Sequence, residues 1–137
     1  MNSSPILIVS GEPNSVFLEL FFKVFNNNKI KNPIILISSK KLLDLQMKKL
    51  GFKNKIRLID VSKLKFYKIN NKTINLIDVK YNPDKAFEKI SNKSNMFIKN
   101  SFELAFKIIK KYKIIRFING PISKKYFLRK EFLGITE

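Results

Sequence analysis

Three short stretches hold the residues whose types and spacing could do chemistry: Ser10-Gly11-Glu12-Pro13-Asn14, Asn119-Gly120-Pro121-Ile122-Ser123-Lys124, and Gly134-Ile135-Thr136-Glu137. Each joins a turn former to polar or charged side chains. Glu12 would stand just past the end of an apolar run, where open α/β sheets bind their ligands. Asn119, Ser123 and Lys124 follow a second apolar run, and a helix start at Ser123 would turn backbone amides towards an anion, with Lys124 and Lys125 adding positive charge. Thr136 and Glu137 offer a hydroxyl and a carboxylate at a loop. Taken singly, each is an ordinary turn more often than a site. The Ser10–Asn14 stretch lacks the further glycines of a dinucleotide fingerprint. A chain-terminal stretch is more often frayed than functional.

Composition narrows the chemistry. The 137 residues include no Cys and no His. Disulfides and thiolate metal sites are excluded, and so are the commonest metal ligand and the usual general base. Catalysis within this chain would fall to Lys, Asp, Glu, Ser, Thr or Tyr. The formal charge of +18 comes from 28 basic against 10 acidic residues. Such a balance fits a nucleic-acid or anionic-membrane partner. However, only Arg57, Arg116 and Arg129 are arginines, the lysines are spread along the whole chain, and Asn and Ile are abundant. That is the amino-acid usage of an AT-rich genome, so the compositional reading of the charge is preferred and nucleic acid is not the expected partner. No apolar run approaches the roughly 20 residues of a spanning helix, and the start lacks the layout of a secretory signal. The expectation is a cytoplasmic chain with no membrane partner.

The elements that must position these stretches follow from the apolar pattern. Ile6–Val9, Pro33–Ile37 and Ile56–Ile59 are continuously apolar or nearly so, as in strands buried on both faces. Thr73–Val79 alternates and is placed at a sheet edge. Ile114–Ile118 is the last strand. After a cap at Asn14 or Ser15, a helix carries Val16, Leu20 and Val24 with Phe17, Phe21 and Phe25 on its apolar face and stops near Asn26. A second helix runs from Lys40 to Leu50, capped by Ser38 or Ser39 and ended by Gly51. A third runs from Asn95 to Tyr112, with Ile98, Phe102, Ala105, Ile109 and Tyr112 on one face, and a short helix is placed at Asp84–Ile90. Asp60–Tyr67 stays ambiguous. Alternation of strands and helices predicts an α/β fold, an α/β/α sandwich with a largely parallel sheet, as one domain over 1–137 or part of one.

In order and spacing, these segments resemble the 4-hydroxythreonine-4-phosphate dehydrogenase family of pyridoxal phosphate (vitamin B6) biosynthesis, in its N-terminal portion. That family opens with a strand and a Gly-Asp/Glu-Pro turn, matched by Gly11-Glu12-Pro13. It later has a strand ending in Thr-Gly-Pro, then Lys, and soon afterwards Gly-His-Thr-Glu. The counterparts are Asn119-Gly120-Pro121, Lys124 and Gly134-Ile135-Thr136-Glu137. The helix ending at Leu50-Gly51 and the long helix from Asn95 also match. The resemblance covers essentially the whole chain. It implies a fold like isocitrate and isopropylmalate dehydrogenases, incomplete here, and a homodimer when complete. It also implies NAD- or NADP-dependent oxidation and decarboxylation of a phosphorylated hydroxy-amino acid. A divalent metal (zinc, magnesium or cobalt) would act as Lewis acid. Thr136 matches the substrate-contacting Thr, and Ile135 stands at the position of the family His. Lys124, Asn119 and Glu12 are the further site-lining candidates. The metal ligands and most of the cofactor grip lie beyond this chain, so it is expected to be inactive alone. The competing readings are a non-catalytic α/β binding module derived from the same fold and, less favoured, a basic nucleic-acid-binding domain.

Overall fold

The computed structural model describes residues 4–123. Five strands form one sheet in the order β3-β4-β2-β1-β5: β1 (Ile6–Val9), β2 (Ile34–Ser38), β3 (Ile56–Leu58), β4 (Ile74–Asp78) and β5 (Arg116–Asn119). Every pairing is parallel, with Ile6 opposite Ile34 and Arg116, and Ile35 opposite Asn75. The helices are α1 (Phe17–Asn26), α2 (Lys40–Leu50) and α3 (Asn95–Tyr112). The ambiguous Asp60–Tyr67 stretch contains a 3₁₀ helix, Val61–Phe66.

Right-handed crossovers fix the layers. The β1-to-β2 and β2-to-β3 connections run one way across the sheet, and α1 and α2 pack together on one face. The β3-to-β4 and β4-to-β5 connections run the other way, which places the 3₁₀ helix and α3 on the opposite face. The Tyr112 hydroxyl accordingly donates to the Val61 carbonyl at 3.1 Å. The result is the expected α/β/α sandwich. Its core is built from Leu7, Val9, Ile35, Leu36, Ile37 and Leu76 of the sheet, with Phe22, Leu42, Leu43 and Ile98 from the helices. The boundaries of α2 and α3 and the caps of α2 are as expected. The Ser39 hydroxyl accepts the Leu42 amide, and Gly51 closes the helix in the left-handed conformation. At α1 the Ser15 hydroxyl accepts the Phe17 amide at 3.2 Å, one residue ahead of the cap position, which Val16 holds.

Three expectations are corrected. First, β4 is not an edge: it lies between β3 and β2 and is buried from Ile74 to Ile77. Its polar Asn75 faces protein, and among the described residues the edges are β3 and β5. Second, Val16, Leu20 and Val24 are solvent-facing on α1. The buried stripe is Leu18, Phe21, Phe22 and Phe25, which covers the sheet with ring contacts Phe21–Phe25 and Phe22–Phe52. The expected Phe21 and Phe25 lie on this buried stripe and Phe17 is half-buried beside it, so only the Val16, Leu20 and Val24 side of the expected face turns outward. Third, Asp84–Ile90 forms no helix. The segment is held instead by side chains that reach it from the β1 loop and α2. The helix expected from Ser123 lies outside the described residues.

Candidate functional site

The carboxyl ends of β1, β2 and β5 meet at one edge of the sheet, where the strand order reverses about β1. A crevice at such a reversal is the usual ligand position in open parallel sheets. Here the loops are knitted together. The Gly120 amide donates to the Val9 carbonyl at 2.7 Å, and the Glu12 amide donates to the Pro121 carbonyl at 2.7 Å. The fully buried Ser10 hydroxyl donates to the Ser38 hydroxyl at 2.8 Å. The Val79 amide donates to the Ser38 carbonyl, which ties the end of β4 to the same cluster.

Glycine is required where the β1 and β5 loops touch. A Cβ on Gly120 would lie 2.0 Å from the Ser10 carbonyl oxygen, and one on Gly11 would lie 2.5 Å from the Pro121 carbonyl oxygen. Gly11 also has a φ of +72°, where side chains are strained. The space a phosphate would need beside Gly11 is therefore filled by the neighbouring loop. Gly11 serves loop-to-loop closure, and the turn after β1 is not a phosphate cradle.

Glu12 is buried, with its carboxylate turned towards the connection between β4 and α3. It accepts the Asn14 amide at 3.0 Å and the Ser94 hydroxyl at 3.3 Å. Asn14 in turn accepts the Glu88 amide at 2.9 Å. The buried Gln46 side chain donates to the carbonyls of Pro13 and Ala86 at 2.9 and 3.0 Å. Glu88 is further paired with Lys93 at 3.0 Å, and that ammonium holds its carboxyl below the usual range. These contacts order the segment without a helix. Sequence reasoning missed Gln46, and it placed Ser10 in a candidate stretch and Ser38 at a possible cap without joining them. Gln46 had a visible signal, because it falls on the stripe of Leu42, Leu43 and Met47, where an amide must find buried partners.

Burial pushes the Glu12 carboxyl above its ordinary value, against the smaller opposing effect of its hydrogen bonds to Asn14 and Ser94. The folded chain therefore binds this proton more tightly than the unfolded chain does. Glu12's contribution to stability is complete below its unfolded pKa and is lost as pH rises through its folded pKa. Glu12→Gln, which can still accept the Asn14 amide while its NH2 donates to the Ser94 hydroxyl, is expected to flatten this part of the stability profile between acidic and neutral pH. Urea unfolding at several pH values measures it, and an unchanged slope would count against a buried, proton-holding Glu12.

Of the candidates named from the sequence, Glu12 is thus a structural brace and Asn119 reaches the open edge. Asn119 is exposed, and its side-chain amide donates to the Gly120 carbonyl at 2.9 Å. Lys124, Ile135 and Thr136 lie outside the described residues. The other carboxylate at this edge, Asp78, accepts the Lys40 amide at 2.8 Å and caps α2. The described residues at the edge can position a polar ligand, and both of their carboxylates already serve the fold. Among the described residues no three His, Cys, Asp or Glu side chains are grouped to hold a metal ion, and no helix is long and apolar enough to cross a membrane.

No protein-family model and no curated protein sequence matches the chain. Solved structures do. A 4-hydroxythreonine-4-phosphate dehydrogenase from Burkholderia phymatum superposes with a TM-score of 0.79 at 22% identity, over 92% of this chain and 38% of that one. The enzyme of the same name from Klebsiella pneumoniae gives 0.74 at 15% identity, over 90% of this chain and 39% of that one. The chain therefore has the fold of one part of these dehydrogenases and spans under two fifths of their length.

Proposed function

We propose that the chain is the N-terminal portion of a 4-hydroxythreonine-4-phosphate dehydrogenase-like oxidoreductase, and that the joined β1 and β5 loops form one wall of its substrate site. The supporting observation is the closure of Gly11 and Glu12 onto Gly120 and Pro121 at the carboxyl edge of the sheet, in a fold shared with these dehydrogenases. The substrate is a phosphorylated hydroxy-amino acid. Asn119 binds and orients its polar groups. Lys124 offers an ammonium to its anionic end, and Thr136 a hydroxyl. Ile135, at the position of the family His, gives an apolar contact in place of a hydrogen bond. The complete enzyme is a cytoplasmic homodimer.

The described residues do not fit the divalent metal or the nicotinamide cofactor. Glu12 and Asp78 are committed to backbone amides, and the turn after β1 is closed by Pro121. Hydride transfer and decarboxylation accordingly depend on residues other than the described ones, and the part assigned to the described residues is substrate positioning.

The purified 137-residue chain is expected to produce no reduced nicotinamide from 4-phosphohydroxy-threonine with NAD or NADP. It is expected to bind that substrate weakly, with NMR shifts at Asn119 and Gly120. Turnover by the chain alone would overturn the division of labour. Shifts confined to another part of the molecule would overturn the site.

A further inference from the structure

The amino ends of the strands carry a second, separate opening. A cavity of about 1030 Å³ lies across the start of β2, at Ile34 and Ile35. Both layers of the sandwich reach it: Phe25 of α1 from one face, Leu64 of the 3₁₀ helix and Tyr112 of α3 from the other. The five residues of β2, about 16 Å at roughly 3.3 Å per residue, separate it from the carboxyl edge. Its walls are braced. The Asn71 side chain accepts the Ile34 amide at 2.9 Å and donates to the Asn32 carbonyl at 2.8 Å, which joins the loop before β4 to the loop before β2. The Arg57 guanidinium donates to the Lys68 carbonyl at 3.0 Å and lies over the Tyr67 ring at 4.9 Å, which fixes the next stretch of wall. A formed concavity of this size has room for a small organic ligand.

The charge around it is one-sided. The loops that enter β2, β3, β4 and β5 (residues 27–33, 51–55, 67–73 and 113–115) contain lysines and no Asp or Glu. The carboxylates that follow strands, Glu12, Asp60, Asp78, Asp84 and Glu88, belong to the other end. A compositional excess of Lys explains the number of cations but not this separation. Lys31, Lys68 and Lys72 border the cavity, are exposed and form no ion pair among the described residues, and no described Asp or Glu lines it. Cations around a low-dielectric concavity concentrate anions there.

The floor selects for more than charge. It is built from Phe25, Ile34, Leu64 and Ile114, with Ile30 and Ile69 half-buried above them. Polar groups beside it are already partnered, the Ile34 amide by Asn71 and the Tyr112 hydroxyl by the Val61 carbonyl. A bare phosphate would meet the lysines alone and leave this apolar surface in water, whereas an apolar body would cover it. We propose that the cavity binds an amphipathic anion, an apolar or aromatic body ending in one carboxylate or phosphate. The body lies between Ile30, Ile69 and Tyr112, and the head is held by Lys31, Lys68 and Lys72. The site is independent of the substrate wall at the carboxyl edge.

The probes are decanoate and naphthyl phosphate, titrated separately into the full 137-residue chain and followed by NMR. Decanol supplies a body without the anion, and inorganic phosphate a head without the body. Shifts are expected at the amides of Ile30, Ile69 and Lys72 and not at Asn119 or Gly120. At least one probe should bind about tenfold or more tightly than decanol and inorganic phosphate do. Preference for decanoate would identify the body as an acyl chain, and preference for naphthyl phosphate as an aromatic ring. Affinity should fall as salt rises, and Lys31→Glu with Lys68→Glu, both at exposed positions, should weaken it about tenfold. Inorganic phosphate, oligothymidylate or decanol binding as tightly as the better probe, indifference to the charge reversals, or shifts confined to another part of the molecule would overturn the proposal.

Discussion

Gly120→Ala is expected to destabilise the chain by about 3 kcal/mol, the upper end for a methyl forced into a packed site. The added Cβ would sit 2.0 Å from the Ser10 carbonyl oxygen and 2.7 Å from its carbon. Both are backbone atoms and cannot swing aside as a side chain could. Relief requires β1 and β5 to part at their carboxyl ends. That would strain the hydrogen bonds from Gly120 to Val9 and from Glu12 to Pro121, each contributing about 1 kcal/mol. Gly51→Ala is the control. It has a positive φ, of 84°, which Gly120 does not, and a Cβ there would meet nothing within 4 Å, so only the left-handed backbone cost of roughly 1 kcal/mol is expected. Urea unfolding of both variants measures the difference. Equal losses would mean that the two loops are not in contact, and the substrate wall would go with them.

The loop contact also marks where sequence reasoning reached its limit. The order of strands and helices was legible because the β1 and β2 segments are continuous apolar runs and α3 repeats apolar residues every three or four positions. The ends of α2 were legible because Ser39 and Gly51 have local jobs that need no tertiary partner. The inner face of α1 was legible only in part, since Phe21 and Phe25 are buried as expected while Val16, Leu20 and Val24 are exposed. Val16, Leu20 and Val24 are spaced as regularly as the residues that are buried, and the sheet alone decides which stripe it covers. Glu12 was noticed for its position after a strand. Its partner Ser94 is 82 residues away in sequence, so its role as a brace could not be read locally. The approach of Gly11 to Gly120 is likewise a long-range fact, although two turn glycines after two apolar runs marked the right places. Of the proposed substrate contacts, only Asn119 lies among the described residues.

Asn75 is the residue behind the misplaced β4, and the same reasoning gives a large expected effect. In the alternating run Thr73–Val79 it resembles a solvent-facing position on an edge strand. In the sheet it is 1% exposed and pairs in register with Ile35 of β2 and Arg57 of β3. Its side-chain amide donates to the carbonyls of Ile34 and Asn70 at 3.1 and 2.7 Å, joining β4 to the start of β2 and to the turn that precedes it. Asn75→Asp keeps the shape and removes both donors. At neutral pH a carboxylate would then face two carbonyl oxygens in a buried site, at an expected cost of at least about 3 kcal/mol. Burial raises the pKa of such an introduced acid. The variant should therefore regain part of its stability as pH falls, because the protonated acid can donate to one of the two carbonyls. The sign follows from linkage: an acid whose pKa is higher in the folded chain stabilises when protonated, and that contribution fades as pH rises through the folded value. Urea midpoints of the two proteins should converge towards acidic pH and separate towards neutral. A variant that tracks the parent protein at every pH would return Asn75 to the surface and β4 to the edge of the sheet.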